Sequence, residues 1–281
     1  DIPVHVEFFA SPEAVLQEKL NLARYLKADG TLIISADDPK LVEASKNFKQ
    51  KIITFGITNQ ATVMASNIEM SVTGGISFKL NYEGNSIPVS IKGALGVQQI
   101  YPALVATAVG IVKNIPILTI VEALKTHRPS RGRMNILSGI NGSYIIDDTY
   151  NSSPDALAEA LAVLAGLHTT GKKYAVLGDM MELGKFSSDE HKKAGELAHT
   201  SADVVITVGP RAGLMDESAK HFDSSVQAAE YMAGIVASGD IVLVKGSQSI
   251  RMERISKALL AEPEKAEDLL VRQEEEWLNR K

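Results

Sequence analysis

The sequence predicts an α/β protein with two domains, the second of which contains a mostly parallel, Rossmann-like sheet. Three observations lead to this prediction. The chain has 281 residues, which is enough to form two separate hydrophobic cores. In residues 128–281, apolar segments typical of buried strands alternate with helical segments, as in a parallel sheet covered by helices. In residues 61–91, short alternating segments are separated by glycine-containing turns, which is typical of an antiparallel meander.

Residues 1–127 are predicted to form the first domain. Its elements are indicated by apolar runs, by a helix start at Ser11-Pro12 and by the glycines that divide the meander. In chain order they are a strand at 4–9, a helix from residue 11, strands at 31–35 and 51–55, the meander at 61–91, and a helix at 99–112. The last helix lies in an uncharged stretch interrupted by Gln98, Gln99 and Pro102, which favours a buried helix over a membrane span.

Residues 128–281 are predicted to form the second domain, because the boundary is placed in a basic and turn-rich segment at 127–133. Each predicted strand is a short apolar run, and each predicted helix follows one. The strands are predicted at 143–147, 174–177, 204–208 and 241–244, and the helices near 154–167, 188–200, 211–221 and 249–260. The charged, amphipathic segment at 262–281 is predicted to form a peripheral helix.

The composition excludes some kinds of site and argues against others. The chain has no cysteine, which excludes disulfides and thiolate metal sites. Its net charge of −5, without a run of lysine or arginine, argues against nucleic-acid binding. No segment predicts membrane insertion or a signal peptide, so we expect a cytoplasmic protein. Because the chain begins at Asp1 rather than at methionine, we also expect it to be a fragment.

The most informative segment runs from Tyr144 to Pro154. An apolar strand ends there in Asp147 and Asp148, a polar loop follows, and Ser153-Pro154 is a typical helix start. Ligands of open α/β sheets bind at such junctions, and an arginine and an aspartate there suit phosphate and metal or amine chemistry. Arg133 lies fifteen residues before Asp148, and a hairpin between them would bring it back. Alternatively, the two aspartates only end the strand and solvate a turn, and Arg133 and Asp148 form a surface salt bridge that contributes little.

Two further candidate segments follow predicted strands of the second domain. Asp179 comes directly after Gly178, which leaves a carboxylate at the carboxyl edge of the sheet. Residues 187–190 resemble a capping box, which places His191 on the first turns of a helix. There the imidazole could contact a carboxylate substrate or be a partly exposed helix residue. Residues 245–249 begin a helix whose N–H groups could bind an anion, but they lack the spacing of a P-loop.

In the first domain, His5 and Glu7 share one face of a predicted strand, and Lys19 lies on the helix that follows. A lysine that faces such a cluster could be a functional amine, or it could be a solvated helix residue.

Taken together, these segments resemble the Mur ligase family of ATP-dependent amide ligases, which build the peptidoglycan precursor. The match runs through most of the chain. The segments similar to family motifs are His5-Val-Glu7 with Lys19, Ala36-Asp-Asp-Pro39, Gly132-Arg-Met134, Asp147 to Pro154, Val176 to Gly184 and Val242 to Ser247.

The resemblance implies that residues 1–127 are part of a central ATP-binding domain and that residues 128–281 form a Rossmann-like domain that binds an amino acid or dipeptide. It implies a monomeric ligase of peptidoglycan synthesis that uses ATP and Mg²⁺. The implied reaction joins D-alanyl-D-alanine to UDP-N-acetylmuramoyl tripeptide through an acyl phosphate.

The resemblance also implies roles for individual residues. The residues implied in catalysis are Lys19, His5, Arg133 and Asp148. Nucleotide contacts are implied for Gln99, Arg133, Asp148, Tyr150 and Asn151. Contacts with the peptide substrates are implied for Asn151, Asp179, Met180, Glu182, His191, Lys245 and Ser247. Magnesium ligands are implied at His5, Glu7 and a carbamylated Lys19.

The sequence departs from the family pattern in three places. No P-loop and no amino-terminal UDP-sugar domain precede the first motif, so we expect this chain alone to be inactive. Gln98-Gln99 replaces a histidine-asparagine pair, and Ser152-Ser153 replaces alanine-asparagine. Two alternatives stay open. The chain could belong to another ligase of the superfamily, of the folylpolyglutamate or cyanophycin type, or it could be a non-catalytic binding module.

Overall fold

The computed structural model describes residues 12–279, which form two compact units at 12–128 and 129–279. The strand predicted at 4–9, together with His5 and Glu7, lies outside the described residues. The α/β fold class predicted from the sequence is confirmed, with one mixed sheet and one mostly parallel sheet.

The amino-terminal unit contains a five-stranded sheet in the order β1-β2-β3-β4-β5. Strands β1, β2 and β3 pair in parallel, and β3, β4 and β5 pair antiparallel, which confirms the predicted meander. The strands are β1 (Thr31–Ser35), β2 (Lys51–Gly56), β3 (Val63–Ser71), β4 (Gly75–Tyr82) and β5 (Asn85–Ile91). The helices are α1 (Pro12–Arg24), α2 (Pro39–Ser45), α3 (Ile100–Val112) and α4 (Ile117–Lys125).

The core of this unit lies between the meander and α3. Side chains on β4 alternate, so that Ile76, Phe78 and Leu80 are buried while Lys79 is exposed. Helix α3 is the uncharged segment noted in the sequence, and Ile100, like most of its apolar face, is buried against the sheet. None of the helices in the described range 12–279 is long and apolar enough to cross a membrane.

The carboxyl-terminal unit contains a six-stranded sheet in the order β10-β9-β8-β11-β7-β6. Strand β6 pairs antiparallel with β7, and the other neighbours pair in parallel. The strands are β6 (Asn135–Ser138), β7 (Tyr144–Asp148), β8 (Lys173–Gly178), β9 (Val204–Val208), β10 (Lys220–Phe222) and β11 (Ile241–Lys245). The helices are α5 (Pro154–Gly166), α6 (Ser187–Ser201), α7 (Ser225–Ile235), α8 (Glu253–Leu259), α9 (Ala266–Leu269) and α10 (Glu275–Leu278).

The helix predicted at 211–221 is wrong. The chain forms a short 3-10 turn at Ala212–Leu214 and then the short strand β10, and α7 follows. The Asp216 carboxylate accepts hydrogen bonds from the N–H and the hydroxyl of Ser218, and this local turn competes with a helix. Ser224 then caps α7 by accepting from the N–H of Gln227.

Two helix-end predictions are also wrong. Helix α6 begins at Ser187 after Phe186, and no side chain caps it, so the capping box does not form. The tail at 262–279 is not one helix but two short ones joined by an extended segment. Leu270 in that segment is fully buried, and Arg272 has a left-handed backbone with φ of 58°, which ends a helix.

The register of the second sheet places the candidate residues. Strand β11 lies between β7 and β8, and Lys245 is opposite Asp148 on one side and Leu177 on the other. Because these strands are parallel, their carboxyl ends meet at one edge of the sheet. The loops after Asp148, Gly178 and Lys245 therefore surround the same place.

Candidate functional site

A buried ion pair joins the ends of β7 and β11. Lys245 Nζ lies 2.6 Å from Asp148 Oδ2, and both side chains are less than a tenth exposed. The same ammonium donates to the backbone oxygen of Asn151 at 3.0 Å, and Asp148 Oδ1 accepts from the N–H of Met134 at 3.1 Å. A buried pair is tolerated when its remaining hydrogen bonds are made in this way.

Arg133 is presented beside this pair by a tight turn and the antiparallel strand β6. Gly132 has φ of 69°, and a Cβ there would lie 2.9 Å from the backbone nitrogen of Tyr150, so the turn requires glycine. The N–H of Tyr150 donates to the Gly132 carbonyl. The Arg133 guanidinium then lies 4.2 Å from the centre of the Tyr150 ring, a cation–π contact. The hairpin does bring Arg133 and Asp148 to one edge.

Asp147, the neighbour of Asp148, is fully buried. Its Oδ1 accepts from the hydroxyls of Thr149 and Ser256, whereas within the described part of the chain Oδ2 has no partner. Burial raises the pKa of Asp147 to about 6, against the opposing effect of these two hydroxyls. The charges of Asp148 and Glu253 contribute to this rise. The carboxyl group of Asp147 therefore changes its charge just below neutral pH.

Asp179 and His191 hold the backbone around the edge of the sheet. Asp179 Oδ1 accepts from the N–H groups of Arg211 and Ala212 at 2.9 and 2.7 Å. His191 is buried, and Nδ1 lies 2.6 Å from the Ser187 carbonyl while Nε2 accepts from the N–H of Met180 at 3.0 Å. This pairing assigns the proton to Nδ1. His191 does lie near the start of α6, but it is fully buried, so the partly exposed helix position considered from the sequence is wrong.

Met180 is buried as well, so three of the residues implied in peptide binding, Asp179, Met180 and His191, are enclosed by protein. Their positions are consistent with a supporting role for the segment 178–181. The assignment of substrate contacts to them stays a prediction.

An open groove of about 660 Å³ lies above this edge. It brings together three residues implied from the sequence, Asn151, Glu182 and Ser247. Ser247 Oγ accepts from the N–H of Met181 at 2.8 Å, so its hydroxyl also holds the groove wall. The other lining residues are Met181, Gly184, Arg211, Gln248, Ser249 and Trp277. Of these, Arg211 and Trp277 were not singled out from the sequence.

Sequence reasoning also missed Arg251, Glu253 and Arg272, which form a buried ionic cluster next to the site. The signal available in the sequence was the pair of charged residues, Arg251 and Glu253, at an otherwise ordinary helix start. Arg251 and Glu253 are two residues apart, but Arg272 lies nineteen residues further along the chain, and only the fold shows that it joins them.

In the amino-terminal unit, the structure places two implied residues at helix positions. Lys19 is exposed on α1, and Gln99 is the half-buried residue that precedes α3. Among residues 12–279, no group of three or more histidine, aspartate or glutamate side chains could hold a metal ion. The magnesium assignment depends on His5 and Glu7 with Lys19 and stays a prediction.

The carboxylate of Asp37, in the Ala36 to Pro39 segment, accepts hydrogen bonds from several residues of its own unit. It accepts from the N–H groups of Ile57, Thr58 and Asn59 and from the hydroxyls of Thr58 and Tyr101. Burial alone would raise the pKa of Asp37, but these hydrogen bonds outweigh it and hold the pKa well below its usual range. Its neighbour Asp38 caps α2.

Comparison with known proteins places both units. The Mur ligase middle domain matches residues 3–110, and the Mur ligase glutamate ligase domain matches residues 132–248. Among curated proteins, the UDP-N-acetylmuramoyl-tripeptide–D-alanyl-D-alanine ligase of Bacillus subtilis is 28% identical over 272 residues, which is 92% of this chain and 57% of the relative. The ligase of the same name from Buchnera aphidicola of Acyrthosiphon pisum is 30% identical, over 93% and 58%.

Solved structures give the same result for the fold. The MurF ligase from Thermotoga maritima in complex with ADP has a TM-score of 0.80 at 24% identity and covers 94% of this chain and 60% of its own. A MurF structure from Acinetobacter baumannii has a TM-score of 0.77 at 25% identity, over 91% and 57%. The chain spans little more than half the length of the curated relatives it matches. It belongs to the Mur ligase family.

Proposed function

We propose that this chain provides the carboxyl-terminal domain and part of the central domain of an ATP-dependent ligase that joins D-alanyl-D-alanine to UDP-N-acetylmuramoyl tripeptide. ATP and Mg²⁺ would be its cofactors, and we expect a monomer that works in the cytoplasm. The observation that carries the proposal is the exposed Arg133 beside the buried Asp148–Lys245 pair at the carboxyl edge of a parallel sheet. The names of the relatives support the choice of substrates.

Arg133 is the residue suited to bind phosphate. Its guanidinium is exposed at the surface and oriented by the Tyr150 ring, so it can contact phosphate oxygens with two parallel donors. Asp148 has one oxygen on Lys245 and the other on the N–H of Met134. We infer that Asp148 acts mainly by holding the segment next to Arg133 in place, with Lys245 as its counter-charge.

The groove beside this edge is suited to the amine substrate. Glu182 is exposed at its rim and has a left-handed backbone with φ of 62°, a conformation that costs free energy in a residue other than glycine. Its carboxylate can attract the ammonium group of a dipeptide, and Asn151 and Ser247 line the floor. In the proposed reaction the tripeptide carboxylate is activated as an acyl phosphate, and the amine of the dipeptide displaces phosphate from it.

Calorimetric titration of the chain with D-alanyl-D-alanine, and separately with L-glutamate, tests this proposal. We expect saturable binding of the dipeptide alone, weakened about tenfold in Glu182→Gln because a charge-assisted contact is lost. Glu264→Gln, an exposed acidic residue of the same unit that does not line the groove, is the matched control.

Preferential binding of L-glutamate would instead support a ligase of the folylpolyglutamate type. Absence of binding by either compound would contradict the proposal and favour a non-catalytic module.

A further inference from the structure

Three ionised side chains are buried together below the site. Glu253 is 1% exposed and lies between two arginines. Its Oε1 is 2.6 Å from Arg251 Nε, and its Oε2 is 3.1 Å from Arg272 Nη1. One carboxylate thus faces two guanidinium groups, and the cluster keeps a surplus positive charge that needs further acceptors.

The surplus charge is directed at the loop that follows β7. Arg272 Nη1 donates to the Thr149 carbonyl at 3.0 Å, and Nη2 donates to the Tyr150 carbonyl at 2.7 Å. The planar fork of one guanidinium therefore holds two consecutive carbonyls through two nitrogens in a fixed geometry. The loop that carries Tyr150 is fixed by a residue more than a hundred positions later in the chain.

The tail that carries Arg272 is itself anchored on both sides. Leu270 is fully buried in the core, and Arg251 Nη1 donates to the Trp277 carbonyl at 2.8 Å. Trp277 also lines the groove next to Asn151. The tail therefore connects the wall of the groove with the loop that holds Tyr150.

The backbone of this cluster is strained. Arg251 and Arg272 have φ values of 60° and 58°, and Met134, whose N–H donates to Asp148, has φ of 50°. Residues other than glycine adopt this region at a cost, and they persist there only when the surroundings over-determine it. The strained positions are therefore places where the fold gives up stability to hold a particular geometry.

We propose that Arg272 is a positioning residue of the phosphate site, which acts through the carbonyls of Thr149 and Tyr150 to keep the Tyr150 ring beneath Arg133. The proposal rests on the proposed function, in which Arg133 binds phosphate. The Arg133 guanidinium lies 4.2 Å from the Tyr150 ring centre and that of Arg272 lies 6.0 Å from it, so the ring is flanked by the two arginines. A displaced loop would move Arg133 away from the position that suits a phosphate.

Arg272→Lys separates positioning from simple charge. Lysine keeps the positive charge near Glu253, but it lacks the planar two-nitrogen fork that holds both carbonyls and Glu253 at once. Arg24→Lys, the same exchange at an exposed residue of the other unit, is the matched control.

The readouts are hydrogen exchange at residues 149–151, measured without nucleotide, and ADP affinity, measured by calorimetry. In Arg272→Lys we expect exchange at this loop to rise about tenfold while the strands of the sheet keep wild-type protection. ADP affinity should fall by about tenfold.

Unchanged exchange at 149–151, or a uniform rise over the whole unit, would overturn the positioning role, because a purely structural contribution would spread over the fold. ADP binding by the wild type with equal affinity in Arg272→Lys would overturn it too. Absence of ADP binding by the wild type would instead contradict the nucleotide assignment in the proposed function, and the proposal with it.

Discussion

Each unit of the molecule has a pair of aspartates at the end of a parallel strand, and the two pairs are used differently. Asp37 and Asp38 follow β1, and most of their hydrogen-bond donors are backbone N–H groups of nearby turns. Asp147 and Asp148 end β7, and two of their four partners, Lys245 and Ser256, are side chains about a hundred residues later in the chain. The same dipeptide at the same kind of position is thus structural in one unit and part of a candidate site in the other.

The pKa values of Asp37 and Asp147, the first aspartate of each pair, are shifted in opposite directions. Six hydrogen bonds from Ile57, Thr58, Asn59 and Tyr101, one of them from the Asn59 side-chain amide, outweigh burial and hold the pKa of Asp37 well below its usual range. Asp147 is more deeply buried and receives two, so burial dominates and its pKa rises to about 6. The number of hydrogen bonds that each carboxylate accepts, set against its burial, decides which aspartate can change its charge near neutral pH.

The largest effect is expected for Asp148→Ala. The substitution leaves Lys245, which is 2% exposed, without its counter-charge, and breaking a buried pair costs about 3–5 kcal/mol. Urea unfolding monitored through Trp277, the only tryptophan of the chain, reports on this unit. Asp148→Ala combined with Lys245→Met should recover most of the lost stability. Equal unfolding midpoints for wild type and the single variant would show that the pair is not buried as described.

Asp147→Asn should change how stability depends on pH. The folded-state pKa of about 6 is above the unfolded value of 3.8, so the wild type loses stability as pH rises from about 4 to about 6. Asparagine removes this loss, and the difference in unfolding free energy should shift in favour of the variant by about 2 kcal/mol between pH 4 and pH 7. The measurement is urea unfolding at both pH values. A difference that does not change with pH would contradict the assigned state of Asp147.

Asp37→Ala should show the opposite pH dependence. Because the folded-state pKa is lowered, the carboxylate stabilises the amino-terminal unit above the unfolded pKa near 4, and this stabilisation is lost as pH falls further. We expect a loss of about 2 kcal/mol at pH 7, when the loop at 57–59 loses its acceptor. Hydrogen exchange of the buried amides of β2 and β3 measures it. A loss that grows at acid pH would reverse the comparison between the two aspartates.

Four of the six strands of the second sheet, β7, β8, β9 and β11, could be predicted to within a residue or two, whereas β6 and β10 were not predicted. Each of these four is a short apolar run that is almost entirely buried, as in β8 and β11, and such runs are visible without knowledge of the fold. A helix was predicted at 211–221, and α7 was missed. The residues at 211–221 form turns around Asp216 and part of the three-residue strand β10, and neither has a hydrophobic periodicity that distinguishes it from a helix.

The candidate site was only partly predictable. Arg133, Asp148 and Lys245 stand in motifs at strand ends, so local sequence indicates them. The contact between Arg272 and the loop at 149–150 depends on the left-handed backbone of Arg272 and on the extended path of the tail. Neither feature produces a residue spacing that could be recognised in the sequence. Partners separated by a hundred residues are brought together by the fold alone.

The central claim is that Arg133, held beside the buried Asp148–Lys245 pair, binds phosphate, whereas Asp37 and Asp38 are structural. Calorimetric titration of ADP into wild type, Arg133→Ala and Asp38→Ala tests it directly. Arg133→Ala should lower ADP affinity by about tenfold or more, since a charge-assisted contact is lost, and its unfolding midpoint should stay near that of wild type because the side chain is exposed. Asp38→Ala should bind ADP like the wild type. Wild-type affinity in Arg133→Ala, together with a loss in Asp38→Ala, would contradict the account.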